Sequence, residues 1–173
     1  SGHNNFTFSD TEIENIRNYL TRGGFMFIVN DNAQGGAFEE SLYKEIKKIF
    51  PDSEFQKVPM NHPIYHIFYD FQGDRLPDAL YKDLPPEGYA IYYGDRMVVY
   101  YLAAGDVCDA WTEAEGSRWP GTRYTPTATH NFAKISQSPG VPGKIHAGAG
   151  DEGIENAFKI GVNVLVYALS HMP

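Results

Sequence analysis

The chain has 173 residues, a length that suits one domain with a proper hydrophobic core. Its 42% hydrophobic content is typical of a globular protein, and its single cysteine excludes an internal disulfide and a cysteine zinc cluster. The net charge of −8 comes without a basic stripe, which argues against nucleic acid and anionic membranes as partners; no apolar run is long enough to cross a membrane.

The N-terminal quarter reads as a helix followed by a buried strand. Ser9 and Glu12 have the spacing of a capping box, and apolar residues then recur on one helical face, which predicts a helix from about Asp10 to Thr21. A Gly-Gly pair ends it, since glycine accepts the left-handed conformation found there. The continuously apolar stretch Phe25–Val29 is too short for a helix and predicts a strand buried on both faces.

A second helix–strand pair and a hairpin follow. The pattern predicts a helix from about Phe38 to Phe50 and a weaker strand from Glu54 to Val58. Two β-rich runs, Tyr89–Tyr93 and Arg96–Tyr101, flank a Gly-Asp pair, which is typical of a β-hairpin. The alternation of helices and strands predicts an α/β fold with a doubly wound, mostly parallel sheet to which the hairpin is added.

The last third of the chain has two parts. Residues from about 112 to 150 show almost no apolar periodicity, which predicts a long loop insertion within a single domain spanning residues 1–173. A final helix is predicted from Asp151 to about His171. Its apolar positions recur at helical spacing and are Ile154, Phe158, Val162, Leu165 and Leu169.

Short motifs occur in a fixed order along the chain. They are Gly2-His3 with Phe6, Phe8-Ser9-Asp10 with Glu12-Ile13, Tyr19-Leu20 with Gly23-Gly24-Phe25, His62-Pro63-Ile64-Tyr65 with Phe68-Tyr69-Asp70, Gly94-Asp95-Arg96 with Val99 and Tyr101, and Gly161-Val162-Asn163 with Val166-Tyr167-Ala168-Leu169. In these motifs the chain resembles the domain of unknown function numbered 4159, of the class I glutamine amidotransferase-like superfamily. The resemblance covers nearly the whole chain except residues 112–150.

The resemblance implies a flavodoxin-like fold and a bacterial source. Members of this family usually carry one or two βα units before the Gly-His motif, and these units are missing here. We therefore expect a missing N-terminal segment or a second copy of the chain to cover an exposed sheet edge. Family members are often exported or membrane-associated, which implies a periplasmic or otherwise exported location, while a cytoplasmic one stays open.

The turn after the first strand argues against amidotransferase chemistry. In active amidotransferases a Cys nucleophile stands directly after the strand that matches Phe25–Val29, whereas this chain has Asn30-Asp31-Asn32. The His-Pro-Ile segment is similar in the trehalose-utilisation branch of the superfamily. The resemblance thus implies a non-catalytic module that binds a small polar ligand or a partner protein in the cell envelope, without a cofactor.

Candidate ligand residues lie where open α/β sheets bind ligands, at the carboxyl ends of strands. Asn30 and Asp31 follow the first strand, and His3 is expected in the neighbouring loop; simple loop capping is the alternative for the Asn and Asp. After the hairpin, the residues Asp106, Asp109 and Trp111 predict a polar and aromatic rim at the same end of the sheet. Residues Arg118, Trp119, Arg123, Tyr124 and His130 of the insertion are candidates for a lid over that rim.

Two histidines and the cysteine are further candidates. His62 is either a ligand or acid–base group or, as we prefer, part of a structural turn with Pro63. His66 lies four residues later, but Pro63 and the absence of a Glu partner argue against a zinc pair. Cys108 lies between aspartates that would raise the pKa of its thiol, so a packed, inert cysteine is the better interpretation.

Two other functions stay open at this point. One is a hydrolase or isomerase acting on a carbohydrate-like substrate, with Asp31, Asp106 or Asp109 as acid–base groups and His3 or His62 as their partner. The other is a metal site formed by His3, Asp31 and a third ligand.

Overall fold

The computed structural model describes residues 1–31, 35–113 and 150–171. Its helices are α1 (Asp10–Thr21), α2 (Ala37–Ile49), α3 (Val107–Glu113) and α4 (Gly150–Ser170), with a 3-10 turn at Pro63–Tyr65. Its strands are β1 (Met26–Val29), β2 (Gln56–Lys57), β3 (Gly88–Tyr93) and β4 (Arg96–Leu102). The predicted insertion, including the five lid candidates, lies outside the described residues apart from its first positions and Gly150. None of the helices in these ranges has the length and apolarity needed to cross a membrane.

The described strands form one mixed sheet in the order β1-β4-β3-β2. Only β1 and β4 run parallel, while β3 pairs antiparallel with both β4 and β2. The prediction of a mostly parallel sheet is therefore wrong for this part of the chain. The reason is the hairpin: its tight turn makes β3 and β4 antiparallel, and these two strands occupy the centre of the sheet instead of being added at its edge.

The capping box forms as the sequence predicts. The Ser9 hydroxyl accepts from the Glu12 N–H at 3.4 Å, and the Glu12 carboxylate accepts from the Ser9 N–H at 2.8 Å. These two bonds satisfy N–H groups that the first turn of a helix leaves without partners. With Ile13 and Leu20 buried beneath it, α1 has the bounds that its sequence pattern predicts.

The core has two parts, one on each face of the sheet. Successive residues of a strand point to opposite faces, and the neighbours Tyr100 and Tyr101 belong to different apolar clusters. The cluster containing Tyr101 includes the buried side of α1 and α2; the cluster containing Tyr100 includes α3, α4 and the 3-10 turn. The described residues thus form three layers, with helices on both sides of the sheet.

The buried face of α4 is not the stripe that its large apolar residues suggest. Phe158, Leu165 and Leu169 are 43%, 60% and 58% exposed. The residues that α4 buries are Ala157, Ile160, Val164 and Tyr167, together with the polar Asn163. Helical spacing alone does not tell which of two apolar stripes faces the core. The helix packs closely against α3 at Gly161, where a Cβ would lie 2.6 Å from the Trp111 ring.

Candidate functional site

The carboxyl end of β1 brings together three of the candidate residues. Asn30 directly follows β1, and its N–H donates to the carbonyl of Leu102 at the end of the parallel strand β4. On the other side Gly2 forms a parallel bridge with Asn30 and accepts a hydrogen bond from the Asp31 N–H at 3.3 Å. The exposed His3 follows Gly2 and therefore lies beside this strand end.

The Asn30 side chain is fully buried in a polar network. Its Nδ2 donates to the Gly35 carbonyl at 2.9 Å and to the Tyr101 hydroxyl at 3.3 Å. The Glu39 carboxylate in turn accepts hydrogen bonds from the Tyr101 hydroxyl and the Gly35 backbone. These hydrogen bonds link the ends of β1 and β4 to the first turn of α2.

Burial changes the acidity of this network. Desolvation raises the pKa of Glu39, although the hydrogen bonds from Tyr101 and Gly35 act in the opposite direction. Desolvation also raises the pKa of the Tyr101 hydroxyl, and the nearby Glu39 charge adds to the effect. The Tyr101 hydroxyl consequently stays protonated at neutral pH and remains a donor to Glu39.

Asp31 has the unusual environment in this cluster. It is only 7% exposed, and among the described residues its buried Oδ1 and the Oδ1 of Asp78 have no hydrogen-bond partner. The second Asp78 oxygen accepts from the Asp83 N–H at 2.8 Å. A buried carboxylate oxygen without a donor is energetically costly.

Asp106 lies at the end of the neighbouring strand β4, in the turn that leads into α3. It is fully buried, and its Oδ2 accepts a hydrogen bond from the Tyr81 hydroxyl at 3.4 Å. Its backbone has a left-handed φ of 45°, a conformation that costs energy for any residue except glycine but that Asp tolerates better than most. The side chain of Asp109 lies outside the described residues.

Trp111 makes packing contacts instead of lining a polar rim. Its indole N–H donates to the Ala157 carbonyl of α4 at 2.9 Å, and its ring lies 6.2 Å from that of Phe27. Its side chain thus packs from α3 against α4 and β1, next to Gly161.

His62 lies at the opposite end of β1. Its ring is 5.4 Å from that of Tyr167, and the Tyr167 ring is 6.3 Å from that of Phe25, the residue before β1. Its Nδ1 accepts from the Ile64 N–H at 3.2 Å and so caps the 3-10 turn, in agreement with the structural interpretation. Burial, with a smaller effect of His171, lowers the pKa of His62.

His66 does not pair with His62 as a metal ligand. Its Nδ1 lies 2.5 Å from Asp70 Oδ1, and its Nε2 lies 2.6 Å from the Met60 carbonyl. Across residues 1–31, 35–113 and 150–171, no three His, Cys, Asp or Glu side chains come together to hold a metal ion. Cys108 is half-buried on α3 and packs against the core.

Sequence reasoning missed Glu39 and Tyr101 as parts of the strand-end cluster. The sequence places Tyr101 on a strand and in a motif but indicates no role at the site; it is the second-last residue of β4. Glu39 lies in the first turn of α2, where acidic side chains are common for electrostatic reasons alone. The available signal was the position of both residues near the carboxyl end of the sheet.

The fold and this cluster define a class: a mixed α/β domain of three layers with buried polar side chains at the carboxyl ends of two parallel strands. The model of a family described as a domain of unknown function, number 4159, matches residues 1–169. The chain belongs to this family. A comparison with curated proteins gave no match.

Proposed function

We propose that this domain binds a small polar ligand at the carboxyl end of β1, and that Asp31 is the residue that recognises it. The observation that carries the proposal is the buried Asp31 Oδ1, which has no hydrogen-bond partner. A carboxylate is an acceptor only, so the matching ligand group is a donor: a hydroxyl, an amide or an ammonium group. His3 at the surface and Asn30 beneath it would border the same position.

The chemistry of the turn supports binding over amide transfer. Asn30 and Asp31 stand where an amidotransferase-like domain would carry its Cys nucleophile. The single cysteine, Cys108, lies on α3 and not in this turn. We infer membership of the amidotransferase-like superfamily, with a flavodoxin-like arrangement of the complete sheet and a place in the bacterial cell envelope, from the motif resemblance alone.

A binding screen tests the proposal. The chain is titrated with polyols, sugars, amino acids, amines and divalent cations while its thermal unfolding is followed. A ligand at about 100 times its dissociation constant adds about 2.7 kcal/mol to the free energy of unfolding. Hits are then measured by calorimetry with Asp31→Asn and with Asp52→Asn, an exposed aspartate in a turn far along the chain.

The two variants show whether a ligand binds at Asp31 or elsewhere on the protein. We expect Asp31→Asn to abolish binding and, because it removes no hydrogen bond from Oδ1, to leave the free protein about as stable as the parent. Asp52→Asn should bind normally. A ligand whose affinity is the same in all three proteins, or a screen with no hit on folded protein, would refute Asp31 as the recognition residue.

A second candidate function is a hydrolase or isomerase acting on a carbohydrate-like substrate. The fully buried Asp106, at the end of the strand next to β1, favours it as a second carboxylate at the same edge of the sheet. Turnover of a sugar identified in the screen, lost in both Asp31→Asn and Asp106→Asn, would establish this function. Binding without turnover would leave the domain a binding module.

A further inference from the structure

A polar pocket lies between α4 and the loop of residues 69–77, and it shares no lining residue with the Asp31 site. Its volume is about 510 Å³, which suits a small organic molecule. Two carboxylates and two cations contribute to its lining, and these are Asp70, Asp74, Arg75 and Lys159.

The loop that forms this pocket is fixed at both ends. The buried Asn163 amide bonds to both the N–H and the carbonyl of Tyr69, and Asn156 Nδ2 donates to the Asp78 carbonyl at 3.1 Å. Between these two anchors the chain bends at Gly73, which has a left-handed φ of 101°. A loop held at both ends presents its side chains with little freedom, which reduces the entropy lost when a ligand binds.

Both cations of the pocket have hydrogen-bond donors to offer. Arg75 is exposed, and its guanidinium donates to no acceptor within the described residues, whereas Arg17 donates to two backbone carbonyls of α2. Lys159 Nζ lies 2.7 Å from Glu155 Oε1 and 5.9 Å from the centre of the Tyr69 ring. An ammonium group has three donors, so at least one remains for a ligand.

The two carboxylates differ in what they can still bind. Asp70 Oδ1 lies 2.5 Å from the His66 ring nitrogen, and its Oδ2 accepts from Gln72 Nε2 at 2.6 Å, so both oxygens are occupied. Asp74 is exposed and accepts no hydrogen bond from the described part of the chain. The pocket therefore offers a free acceptor, Asp74, directly beside a free guanidinium, Arg75.

This pair of groups selects the chemistry of a ligand. The planar fork of an arginine matches a carboxylate or a phosphate, which can accept two parallel hydrogen bonds from it. A carboxylate such as Asp74 accepts from a hydroxyl group and repels a bare anion. A ligand that carries both an anionic group and a hydroxyl group satisfies both side chains.

We propose that this pocket binds a small hydroxylated organic anion, a hydroxy acid or a sugar phosphate. Arg75 and Lys159 hold its carboxylate or phosphate group, and Asp74 accepts a hydrogen bond from one of its hydroxyl groups. This is a second ligand site, separate from the strand-end cluster around Asp31.

An NMR titration at constant ionic strength tests the proposal. The probes are two bare anions, acetate and inorganic phosphate, and two hydroxylated ones, D-gluconate and glycerol phosphate. The backbone amide signals of residues 72–76 are followed in the parent chain and in Arg75→Gln, Lys159→Gln and Asp74→Ala. The matched control is Arg22→Gln, which removes an exposed arginine at the end of α1, on the other face of the sheet.

We expect saturating shifts at residues 72–76, with the hydroxylated member of each pair bound more tightly than the bare one. Arg75→Gln should weaken binding by about tenfold or more, the loss that follows removal of hydrogen bonds from a charged group. Lys159→Gln should weaken it less, because Lys159 is already paired with Glu155, and Arg22→Gln should leave it unchanged. Asp74→Ala should tighten binding of the bare anions and abolish the advantage of the hydroxylated ones.

The choice between the two anionic groups follows from the same titration. Tighter binding of D-gluconate than of glycerol phosphate assigns the site to carboxylates, and the reverse order assigns it to phosphates.

Three outcomes overturn the proposal. The first is the absence of saturating shifts at residues 72–76 of the folded protein with all four salts. The second is an affinity that Arg75→Gln leaves unchanged. The third is an equal loss in Arg22→Gln, which would assign the effect to the overall charge. Because Asp31→Asn should leave these titrations unchanged, this proposal and the proposed function fail separately.

Discussion

The side-chain amide of Asn163 forms two hydrogen bonds with the backbone of one residue, Tyr69. Its Oδ1 accepts from the Tyr69 N–H and its Nδ2 donates to the Tyr69 carbonyl, both at 2.8 Å. Asn163 is 1% exposed on α4, and Tyr69 lies in the loop after the 3-10 turn. Seven residues earlier on α4, Asn156 donates to the Asp78 carbonyl at 3.1 Å, so one helix holds both ends of the loop from 69 to 78.

Replacing Asn163 by Ala should destabilise the fold strongly. The change leaves the N–H and the C=O of the half-buried Tyr69 without partners, and we expect a loss of about 2–3 kcal/mol in the free energy of unfolding. Asn156→Ala, which removes one longer bond from a half-buried position, should cost about 1 kcal/mol. Urea unfolding measures both, and equal losses in the two variants would contradict the double-bond account.

His66 should make stability depend on pH. Both of its ring nitrogens face acceptors, Asp70 and the Met60 carbonyl, so both must carry protons for both bonds to form. The hydrogen bond to Asp70, followed by that to Met60, raises the pKa of His66 above its ordinary value of 6.5. A raised folded-state pKa gives stability that is complete below about pH 6.5 and is lost as pH rises through the folded-state value.

The test compares the parent with His66→Gln in urea unfolding at a series of pH values from about 5.5 to 8.5. The difference in free energy between the two proteins should shrink as pH rises, because the charged partner is lost. His62, whose pKa is lowered, acts with the opposite sign in both proteins and cancels in the difference. A difference that stays constant over this range would show that the imidazolium is not the stabilising form.

Glu45 is a fully buried carboxylate that ties the N-terminal loop to α2. It accepts from the Phe8 N–H at 3.0 Å, the Thr7 hydroxyl at 3.1 Å and Lys48 Nζ at 2.6 Å. Burial acts to raise its pKa, but the hydrogen bonds from Lys48, Phe8 and Thr7 outweigh burial and lower it. Its contribution to stability is therefore present above the ordinary Glu pKa and lost as pH falls through the lowered value.

We expect Glu45→Ala to cost about 2 kcal/mol at neutral pH, since it removes the acceptor of the half-buried Phe8 N–H, while the exposed Thr7 hydroxyl and the partly exposed Lys48 ammonium can bond to water. Lys44→Ala, at the adjacent exposed position of α2, should change stability by less than about 0.5 kcal/mol. The two variants are compared by chemical denaturation at pH 7 and at pH 3. A cost that is as large at pH 3 as at pH 7 would mean that packing, and not the carboxylate, stabilises this junction.

The hydroxyl groups of two tyrosines occupy the space that a side chain at Gly88 would need. A Cβ at this position would lie 2.2 Å from the Tyr65 hydroxyl and 2.6 Å from the Tyr100 hydroxyl, and these hydroxyls are themselves 3.2 Å apart. Gly88→Ala should cost about 1–3 kcal/mol through overpacking. Tyr65→Phe should recover part of that loss in the double variant, and a strictly additive double-mutant cycle would rule out the clash as its cause.

Local structure was largely predictable from the sequence. The bounds of α1, the hairpin register around its Gly-Asp turn and the inward face of α2 follow from capping, turn chemistry and periodicity, which act between near neighbours in the chain. The placement of Asn30 and Asp31 at the end of β1 follows in the same way, because it needs only the strand and its direction.

The other features of the fold are decided only by the tertiary structure, because they depend on which helices and strands contact each other. Sheet order, the central position of the hairpin and the choice of buried stripe on α4 are settled by packing between distant segments. The Asn30–Tyr101 hydrogen bond could not be predicted either, because the two residues are far apart in the sequence. For the same reason the sequence does not show that His62 and Asp31 lie at opposite ends of β1. The sequence by itself determined α1, α2, α4, the strands and the polar turn. Only the tertiary structure showed the short helix α3 and, among the described residues, the burial of one carboxylate oxygen of that turn without a donor, because both depend on contacts between distant segments.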